Sequence, residues 1–599
     1  MSKPDLPRAN DLPGWMTTLK ERYLNTETGQ FIVHGNVHDL VFCDCQSWTM
    51  SDFLSTFFTP SGKLVVHYDP GHGVWFDSLD CALRAAKIWV DADFIDEKSI
   101  APAGFERTSA VAIQKRLSRE IGLERSPEIV LEALEVLLAA DSDSVAVIIH
   151  YAELVAPDGP VSGLSFPDRT AAARLHRWSL SEQIVSKDNI VVLMTNALPD
   201  LAKRLARNPR VASLHIPHPD LESRHAFLKH IAPALEPSQL ETYARVTAGL
   251  QLRQIQDVLG PRQNSRRGQS DQISLTLADI RARKKEILEQ ECFGLIEVLE
   301  PKYGFESVGG NDGIKAALNR VASHVKAGRR NQVPMGVLCV GPMGTGKTFV
   351  TKAFAKESGL AAIQLKNFRD KWVGSTEANL ETVLNVIKAV GEIIVIIDEG
   401  DRSLGGGDSD GGVSSRVMAR LKEFMSDTSH RGRIVFFMMT NRPDKLDTDM
   451  KRPGRFDLKI PFFPPQTPQE RSQLLAAVAT RYDIELPANQ TRVLEILEPL
   501  DGYAAADLEA ILLMAFDEQQ HAAKTAGKRK LTLKHLGAAA RNFMPTRETS
   551  MIEYMKLLAI YEASNRTLLP ERYREIDVET LHAKLREMRM ALAQERLGA

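Results

Sequence analysis

The stretch GVLCVGPMGTGKT, residues 336–348, reads as a short apolar strand followed by the spacing Gly-x-x-x-x-Gly-Lys-Thr. Glycines at this spacing let backbone N–H groups wrap an anionic phosphate where a Cβ atom would clash. The Lys347 ammonium can then reach the outer phosphates, and the Thr348 hydroxyl can join a Mg²⁺ shell. The helix that follows adds its positive N-terminal end. The stretch therefore predicts a parallel α/β domain that binds ATP and Mg²⁺ through Pro342, Met343, Gly344, Thr345, Gly346, Lys347 and Thr348.

A second apolar strand ends in acidic residues fifty positions further on. In GEIIVIIDEGD, residues 391–401, five apolar residues precede Asp398 and Glu399. Asp398 suits a Mg²⁺ ligand, and Glu399 suits a base that polarises the attacking water. Taken alone, this is equally a buried strand that ends in solvated acids. The phosphate loop before it and Asn441, at the end of the later strand IVFFMMTN, favour the catalytic interpretation.

These motifs, in this order, resemble the AAA+ ATPases of the protein-remodelling branch, the group that includes katanin, spastin and valosin-containing protein. Residues 300–545 carry the resemblance, from YGFESVGGNDGIKAAL to GYAAADLEAIL at 502–512. It implies that Asn441 helps to orient the lytic water. Ala505 stands where the family has a second glycine of the lid motif. The resemblance implies further nucleotide contacts from the opening segment and the lid, at Val308, Gly309, Ala505 and Ala506.

Two arginines in KRPGRFD, Arg452 and Arg455, resemble the pair that reaches into a neighbouring subunit's site. Phosphoryl transfer depends on positioning and charge stabilisation, and an arginine supplied by a partner is worth roughly 10³–10⁵ in rate in GTPase systems. A monomer is then expected to hydrolyse ATP poorly. The resemblance implies a homo-oligomeric ring, a hexamer, since closed cyclic symmetry satisfies such a head-to-tail contact.

The segment KWVGSTEAN, residues 371–379, occupies the place where the family projects an aromatic and an aliphatic residue into a central pore. Here these residues are Trp372 and Val373. The alternative is a core tryptophan, since indoles are usually buried. The glycine-rich stretch 404–417 is either a second pore loop or an ordinary surface loop.

One segment of the chain occurs twice, as TNALPDLAKRLARNPR (195–210) and TNRPDKLDTDMKRPGR (440–455). Both open with Thr-Asn, and in both the last arginine follows the asparagine by fourteen residues. Other stretches also align: GLQLRQIQDVL (249–259) with the lid motif, and VAVIIHY (145–151) with the acidic strand. His150 and Tyr151 then stand where Asp398 and Glu399 stand in the second copy.

The first copy therefore predicts a degenerate AAA+ module that lacks the catalytic groups. We expect KLVVHYDPGHGVWF (63–76) to be its altered phosphate loop. Arg207 and Arg210 either keep the contact role or are salt-bridged surface residues. The module serves assembly or substrate recruitment, or binds nucleotide without turnover, or is a different fold. His34, His38, Cys43 and Cys45 are permissible zinc ligands, but their spacing fits no common zinc module and equally suits core filling.

The fold class expected for the whole chain is α/β, with tandem AAA+ modules and a helical tail. Residues 1–290 form the first module (large part 12–218, lid 219–290). Residues 291–545 form the second (large part 300–464, lid 465–545), and 546–599 form the tail. The net charge of −2 gives no global reason to expect nucleic acid. Five cysteines, no membrane-length apolar run and no apolar signal core at the N-terminus predict a cytoplasmic location.

The function expected from these features is an ATP-driven remodeller that threads a protein client through a ring. Two alternatives stay open. A nucleic-acid motor is one, because aromatic residues also stack on bases. The other is an ATP-gated assembly factor that does not thread.

Overall fold

The computed structural model describes residues 12–95, 126–233, 235–259, 277–366, 376–398, 413–522, 530–545 and 549–598. Two compact units make up the chain. One is Met1–Leu288 with Glu377–Ala389, and the other is Glu289–Thr376 with Val390–Ala599. Each unit contains one mostly parallel sheet, and the predicted α/β class with tandem AAA+-type modules is confirmed.

The first unit has a sheet of six described strands in the order β5-β4-β6-β7-β1-β8. All neighbours pair in parallel except β5, which lies antiparallel on β4 at the edge. A hairpin of β2 and β3 follows β1. The strand bounds are β1 Gln30–Gly35, β2 Leu40–Cys43, β3 Gln46–Thr49, β4 Leu64–Asp69, β5 Gly73–Trp75, β6 Val145–Ile149, β7 Ile190–Thr195 and β8 Val211–Ile216.

Helices cover both faces of this first sheet and form the lid beyond it. Alternate residues of a strand point to opposite faces, so both faces must be apolar when both are covered. Ile32 and Val66 pack into one buried cluster, and Phe31 and Val65 pack into the other. The helices are Gly14–Leu24, Met50–Phe58, Leu79–Asp91, Pro127–Ala139, Ala152–Val155, Phe166–Trp178, Glu182–Val185, Lys203–Ala206, Leu221–Ile231, Pro237–Val246, Leu252–Leu259 and Leu277–Glu291.

The second unit has its own sheet of six described strands, in the order β14-β10-β13-β12-β11-β9. Only β9 runs antiparallel, on β11 at the edge. The strand bounds are β9 Ile296–Leu299, β10 Gly336–Val340, β11 Ala361–Leu365, β12 Ile393–Ile397, β13 Ile434–Thr440 and β14 Leu458–Pro461. Helices in this half of the chain are Asp312–Lys326, Lys347–Ser358, Thr376–Val390, Val413–Ser426, Pro468–Arg481, Gln490–Leu497, Ala505–Ala522, Leu533–Asn542, Thr549–Glu562, Glu571–Arg574 and Val578–Gly598.

Strand by strand, the two sheets have the same order. β8, β1, β7, β6, β4 and β5 of the first follow the sequence of β14, β10, β13, β12, β11 and β9 of the second. The strand that matches the phosphate-loop strand β10 is therefore β1.

The prediction that residues 63–76 are the altered phosphate loop is wrong. They form β4 and the edge strand β5, which match β11 and β9. The Gly-x-Gly of the sequence misled the prediction, because pairing order in a parallel sheet is set by distant strands rather than by local glycines.

The lid of the second unit has a core of its own. Leu475, Leu508, Leu512 and Leu536 are among its buried residues. Its first helix, Pro468–Arg481, begins with a Thr467 side chain that accepts the N–H of Glu470. None of the helices in the described ranges is long and apolar enough to cross a membrane.

Candidate nucleotide site of the second module

The phosphate loop joins β10 to the helix Lys347–Ser358. Gly344 and Gly346 adopt left-handed backbone angles, φ +74° and +87°, that residues with a side chain rarely take. An added Cβ at Gly344 would also lie 3.2 Å from the Cβ atoms of Ala504 and Ala506 in the lid. The turn therefore favours glycine at both positions, and at Gly344 the lid also lies close.

The Lys347 ammonium is buried at the centre of the loop. It donates hydrogen bonds to the carbonyls of Gly341 (2.9 Å) and Pro342 (2.7 Å) and to Oδ1 of Asn441 (2.7 Å). Asn441 follows β13, the strand beside β10. The parallel sheet thus brings two polar groups that are 94 residues apart in the chain to one point.

Thr348 and Asp398 lie next to this lysine. The Thr348 hydroxyl donates to Oδ2 of Asp398 at 3.1 Å, and Asp398 directly follows β12. A hydroxyl and a carboxylate oxygen side by side are hard donors of the kind that Mg²⁺ prefers. The pair fits the magnesium role that the sequence predicted.

A cavity of about 870 Å³ opens over these groups, between the phosphate loop, the opening segment and the lid. That volume falls in the range of sites that bury a ligand of nucleotide size. Pro342 does not line it, but its carbonyl also accepts the Thr345 hydroxyl at 2.9 Å. The predicted residues that do line it are Val308, Gly309, Met343, Gly344, Thr345, Gly346, Lys347, Thr348, Asp398, Asn441, Ala505 and Ala506.

The lid closes on the site through backbone contacts. The N–H of Ala506 donates to the Gly344 carbonyl at 3.0 Å. A Cβ added to Gly309 would lie 2.2 Å from Cα of Leu474, so only glycine lets the opening segment pass this close to the lid helix. The first contact joins the phosphate loop to the lid, and the second joins the opening segment to the lid.

Sequence reasoning missed one cluster in the cavity wall. Arg481, at the end of the first lid helix, lies over the Phe349 ring, 4.5 Å from its centroid, and pairs with Glu509 at 3.1 Å. Both ionic groups line the cavity. Arg481 belongs to no motif, and Glu509 lies within the lid motif at a position with no predicted role, so only the folded lid reveals the pair.

Arg452 and Arg455 are not among the described residues that line this cavity. The Arg452 side chain is 70% exposed and pairs with Asp449 at 3.0 Å. Arg455 donates to Oγ of Ser426 (2.9 Å) and to the carbonyl of Asp449 (2.7 Å). Glu399, Trp372 and Val373 lie outside the described residues, as does most of 404–417.

Residues 337–464 match the ATPase family associated with various cellular activities (AAA). Residues 4–217 match the AAA+ chaperone, N-terminal Rossmann-like domain. Both matches agree with the two sheets of equal strand order. The chain is an AAA+ ATPase.

Relatives of this ATPase include a Cell division cycle protein 48 homolog of Archaeoglobus fulgidus, 26% identical over 65% of the chain and 58% of that protein. Protein SAV of Sulfolobus acidocaldarius is 31% identical over 35% of the chain and 28% of its own length. The human ATPase family gene 2 protein homolog A is 29% identical over 41% and 29%. The chain thus spans from about a quarter to somewhat over half of the length of these relatives.

The first module of the ATPase has a different loop after its matching strand. In the strand ladders, His34 of β1 pairs with Thr195 as Val340 of β10 pairs with Thr440, so Gly35 takes the place of Gly341. Gly35 is followed by Asn-Val-His-Asp, with no lysine and no helix directly after it.

Asp39 of this loop carries a buried carboxylate. It accepts backbone N–H bonds from Leu252 (2.9 Å) and Arg253 (2.9 Å), at the start of the lid helix, and from Leu40 (2.7 Å). Asn36 donates a fourth bond through its side chain at 2.8 Å. Burial raises the pKa of Asp39, which these bonds partly oppose. The Asp39 carboxylate therefore holds the N-terminus of Leu252–Leu259, a lid helix of the first module.

His150 takes the place of Asp398 after the matching strand β6, as the sequence predicted. Its Nε2 lies 3.1 Å from Nδ1 of the buried His67, and both rings stack on Trp75. Burial, with His67 nearby, lowers the pKa of His150 to about 3, so the ring is neutral near pH 7. A neutral, stacked imidazole supplies no anionic oxygen for Mg²⁺.

Two further predictions concern side chains of the first module. Arg207 and Arg210 are exposed, and neither has an ion-pair partner within the described ranges. His34 packs against His215 and His38 against Tyr151. In the part of the chain that the structure describes, no group of three or more His, Cys, Asp or Glu side chains could hold a metal ion.

Proposed function

We propose that this ATPase hydrolyses ATP with its second module and uses the energy to remodel a protein client in a cytoplasmic homo-oligomeric ring, a hexamer. The proposal depends above all on one observation: Lys347, Asn441, Thr348 and Asp398 meet in one cavity beneath a lid. This is the arrangement that positions and neutralises phosphates in P-loop ATPases.

The protein groups around the phosphates would act as fixed charges and dipoles. Lys347 would hold the outer phosphates, and Asn441, which touches its ammonium, would orient the attacking water. Glu399, placed next to Asp398 by the sequence, would accept the proton of that water. Thr348 and Asp398 would hold Mg²⁺. When bound there, the ion would supply positive charge that offsets the negative charge of the phosphates.

Subunit assembly would complete the site. Arg452 and Arg455 stand outside their own subunit's cavity, and Arg452 is largely exposed. A cation on the surface adds little until it is desolvated against a charge. We therefore assign both arginines to the nucleotide of a neighbouring subunit.

Trp372 and Val373 would grip the client in the pore. A tryptophan offers a large apolar surface that does not depend on the client's sequence. Their assignment comes from the sequence resemblance.

The first module, on this proposal, binds no nucleotide and serves assembly or client recruitment. It has neither a phosphate-loop lysine nor an acid after β6, and Asp39 already holds its lid helix. The Asp39 carboxylate would repel a phosphate group brought to the N–H groups of Leu252 and Arg253, because both are anions.

The test is an ATP-trapping variant, Glu399→Gln, purified with ATP and Mg²⁺ from the cell that makes the protein. The matched comparison is Lys347→Ala, which should not hold ATP. Proteins that copurify with the first variant and not with the second are candidate clients. The double variant Glu399→Gln with Trp372→Ala then separates threading from other binding.

The expected result is a discrete set of proteins that is lost with Trp372→Ala. Partners that persist in the double variant would replace threading by ATP-gated assembly. Nucleic acid in place of proteins, released by added salt, would replace the proposal by a nucleic-acid motor.

A further inference from the structure

The helix Thr549–Glu562, here called the tail helix, packs beside β14 at the edge of the second sheet. The residues just after the tail helix lie alongside β14. The N–H of Ser564 donates to the Lys459 carbonyl at 3.2 Å, and the N–H of Lys459 donates to Oγ of Ser564 at 3.1 Å. This pairing fixes the end of the tail helix next to the segment that carries Arg452 and Arg455.

Glu562, the last residue of the tail helix, is only 7% exposed. Its two oxygens accept bonds from two lysines: Lys451 Nζ at 2.5 Å and Lys459 Nζ at 3.0 Å. Lys451 is the neighbour of Arg452 in the chain. Burying a carboxylate is costly unless its bonds to both ammonium groups are made. The Glu562 carboxylate therefore fixes the positions of Lys451 and Lys459.

The same helix reaches the nucleotide side of its own subunit. The Tyr554 hydroxyl donates to Oδ2 of Asp444 at 3.3 Å, and the Arg442 guanidinium lies over the Tyr554 ring at 5.3 Å. Arg442 and Asp444 also form a two-bond pair at 2.9 and 2.7 Å. Arg442 directly follows Asn441, which contacts Lys347.

One rigid helix therefore touches two catalytic segments. Through Tyr554 it contacts the segment after Asn441, and through Glu562 it contacts the segment before Arg452. Since Asn441 serves its own site and Arg452 is assigned to the neighbour's, the helix connects one site to the next.

We propose that Glu562 is a positioning residue, which holds the Arg452–Arg455 segment in register for the neighbouring subunit's site. The inference rests on the proposed function, because it takes the arginines to act in trans. Without the Glu562 charge, Lys451 and Lys459 repel each other, and the arginine segment shifts or becomes loose.

The first test is the turnover of Glu562→Gln, an isosteric change that leaves the Ser564 pairing with β14 in place. We expect kcat to fall about tenfold with little change in KM for ATP, a small part of the roughly 10³–10⁵ that a trans arginine is worth in GTPase systems. Glu553→Gln is the matched control. It is on the same helix but pairs at the surface with Lys556.

The second test locates the defect. Wild-type protein is mixed with increasing amounts of Lys347→Ala subunits, which lack their own turnover but still offer arginines to neighbours. Lys347→Ala/Glu562→Gln subunits should inhibit the wild type more strongly, approaching Lys347→Ala/Arg452→Ala. Lys347→Ala/Glu553→Gln should match Lys347→Ala. A change that only weakened folding would lower Tm without this effect on neighbours.

Three outcomes are decisive. The positioning role is wrong if Lys347→Ala/Glu562→Gln subunits inhibit no more than Lys347→Ala/Glu553→Gln subunits, while Lys347→Ala/Arg452→Ala subunits inhibit more. If Arg452→Ala subunits also inhibit no more, the trans role of the arginine fails first. If Glu562→Gln does not fold, Lys451→Met replaces it, since Lys459 still pairs with Glu562 there, and must give the same excess inhibition.

Discussion

The lids of the two modules begin alike. Gly249 and Gly502 both adopt left-handed angles, φ +90° and +84°. Two residues on, the N–H of Gln251 donates to the Gln254 side chain at 2.9 Å, and that of Ala504 to the Asp507 side chain at 2.8 Å. The same backbone turn starts the same helix in both copies, as expected for a duplicated unit.

What lies opposite that helix differs. In the second module the phosphate loop meets it through one backbone bond, Ala506 N–H to Gly344 O, beside a large cavity. In the first module the carboxylate of Asp39 takes two N–H bonds from the helix start. The first module thus has a carboxylate of its own opposite the lid helix Leu252–Leu259, where the second module has the phosphate loop.

The largest effect should come from Lys347→Ala. Three acceptors lose their cation, and the phosphates lose their clamp. We expect ATP turnover to fall by about 10²-fold or more, as when one charge-stabilising donor is removed. Phosphate release at saturating ATP measures it. His38→Ala, an exposed change in the matching loop of the first module, should alter turnover by no more than about twofold. Equal losses in both variants would contradict the division of roles.

Gly309→Ala tests the lid contact of the second module. The new Cβ would lie 2.2 Å from a backbone atom of Leu474, so we expect a loss of about 3 kcal/mol in stability and weaker ATP binding. Urea unfolding and nucleotide titration measure the two effects. Gly313→Ala is the control. Its nearest neighbour is 3.8 Å away and it lies in the first turn of a helix, so a gain of about 0.4–1 kcal/mol is expected, because alanine restricts the unfolded chain. A stable Gly309→Ala would show that the lid does not pack this closely.

Asp39→Ala tests the corresponding contact of the first module. The N–H groups of Leu252 and Arg253 lose their acceptor, which should cost about 2 kcal/mol. Tryptophan fluorescence reports it, since Trp15, Trp48, Trp75, Trp89 and Trp178 all belong to this half. Added ATP should not restore the lost stability. Asp257→Ala, exposed on the same lid helix, should be nearly neutral. Rescue by ATP would mean that the first module does bind nucleotide.

Acidification should affect the first module through its buried histidines. The pKa of His150 is lowered to about 3 and that of His34 to about 4, mainly by burial. Below about pH 6.5 these histidines take up protons in the unfolded chain but not in the folded protein. The free energy of unfolding is therefore highest above about pH 6.5 and falls as the pH approaches the folded-state pKa values. At pH 5.5 each should cost about 1 kcal/mol. The unfolding midpoint measured by tryptophan fluorescence should fall as the pH is lowered from about 7.5 to 5.5. His150→Phe should make this fall smaller. A transition that stays constant from about pH 7.5 to 5.5 would contradict the burial of neutral rings.

Local motifs made the second site predictable. The phosphate loop, Asp398 and Asn441 each end a strand, and strand ends of a parallel sheet meet at one edge. Distant pairing made the first site harder to predict. Residues 63–76 have the glycines of a loop, yet only the order of strands shows that Gly35 to Asp39 take the loop's place.

Contacts that depend on the lid and tail could not be read from the chain. Arg481 and Glu509 lie 28 residues apart, and Glu562 is 111 residues from Lys451. No periodicity or motif connects such pairs, because each depends on how separate helices dock. Sequence reasoning reached the groups that line the cavity at the phosphate loop, and it missed the contacts of Arg481, Glu509 and Glu562.

The most direct test of the account is the number of ATP molecules bound per chain. Glu399→Gln, which should bind without turnover, is titrated with ATP and Mg²⁺ by calorimetry, alone and combined with Lys347→Ala. The account predicts one site per chain at saturation and none in the double variant. Two sites in Glu399→Gln, or a site that remains in the double variant, would contradict it. Either result would show that the first module binds nucleotide and that Asp39 does not keep phosphate out of that module.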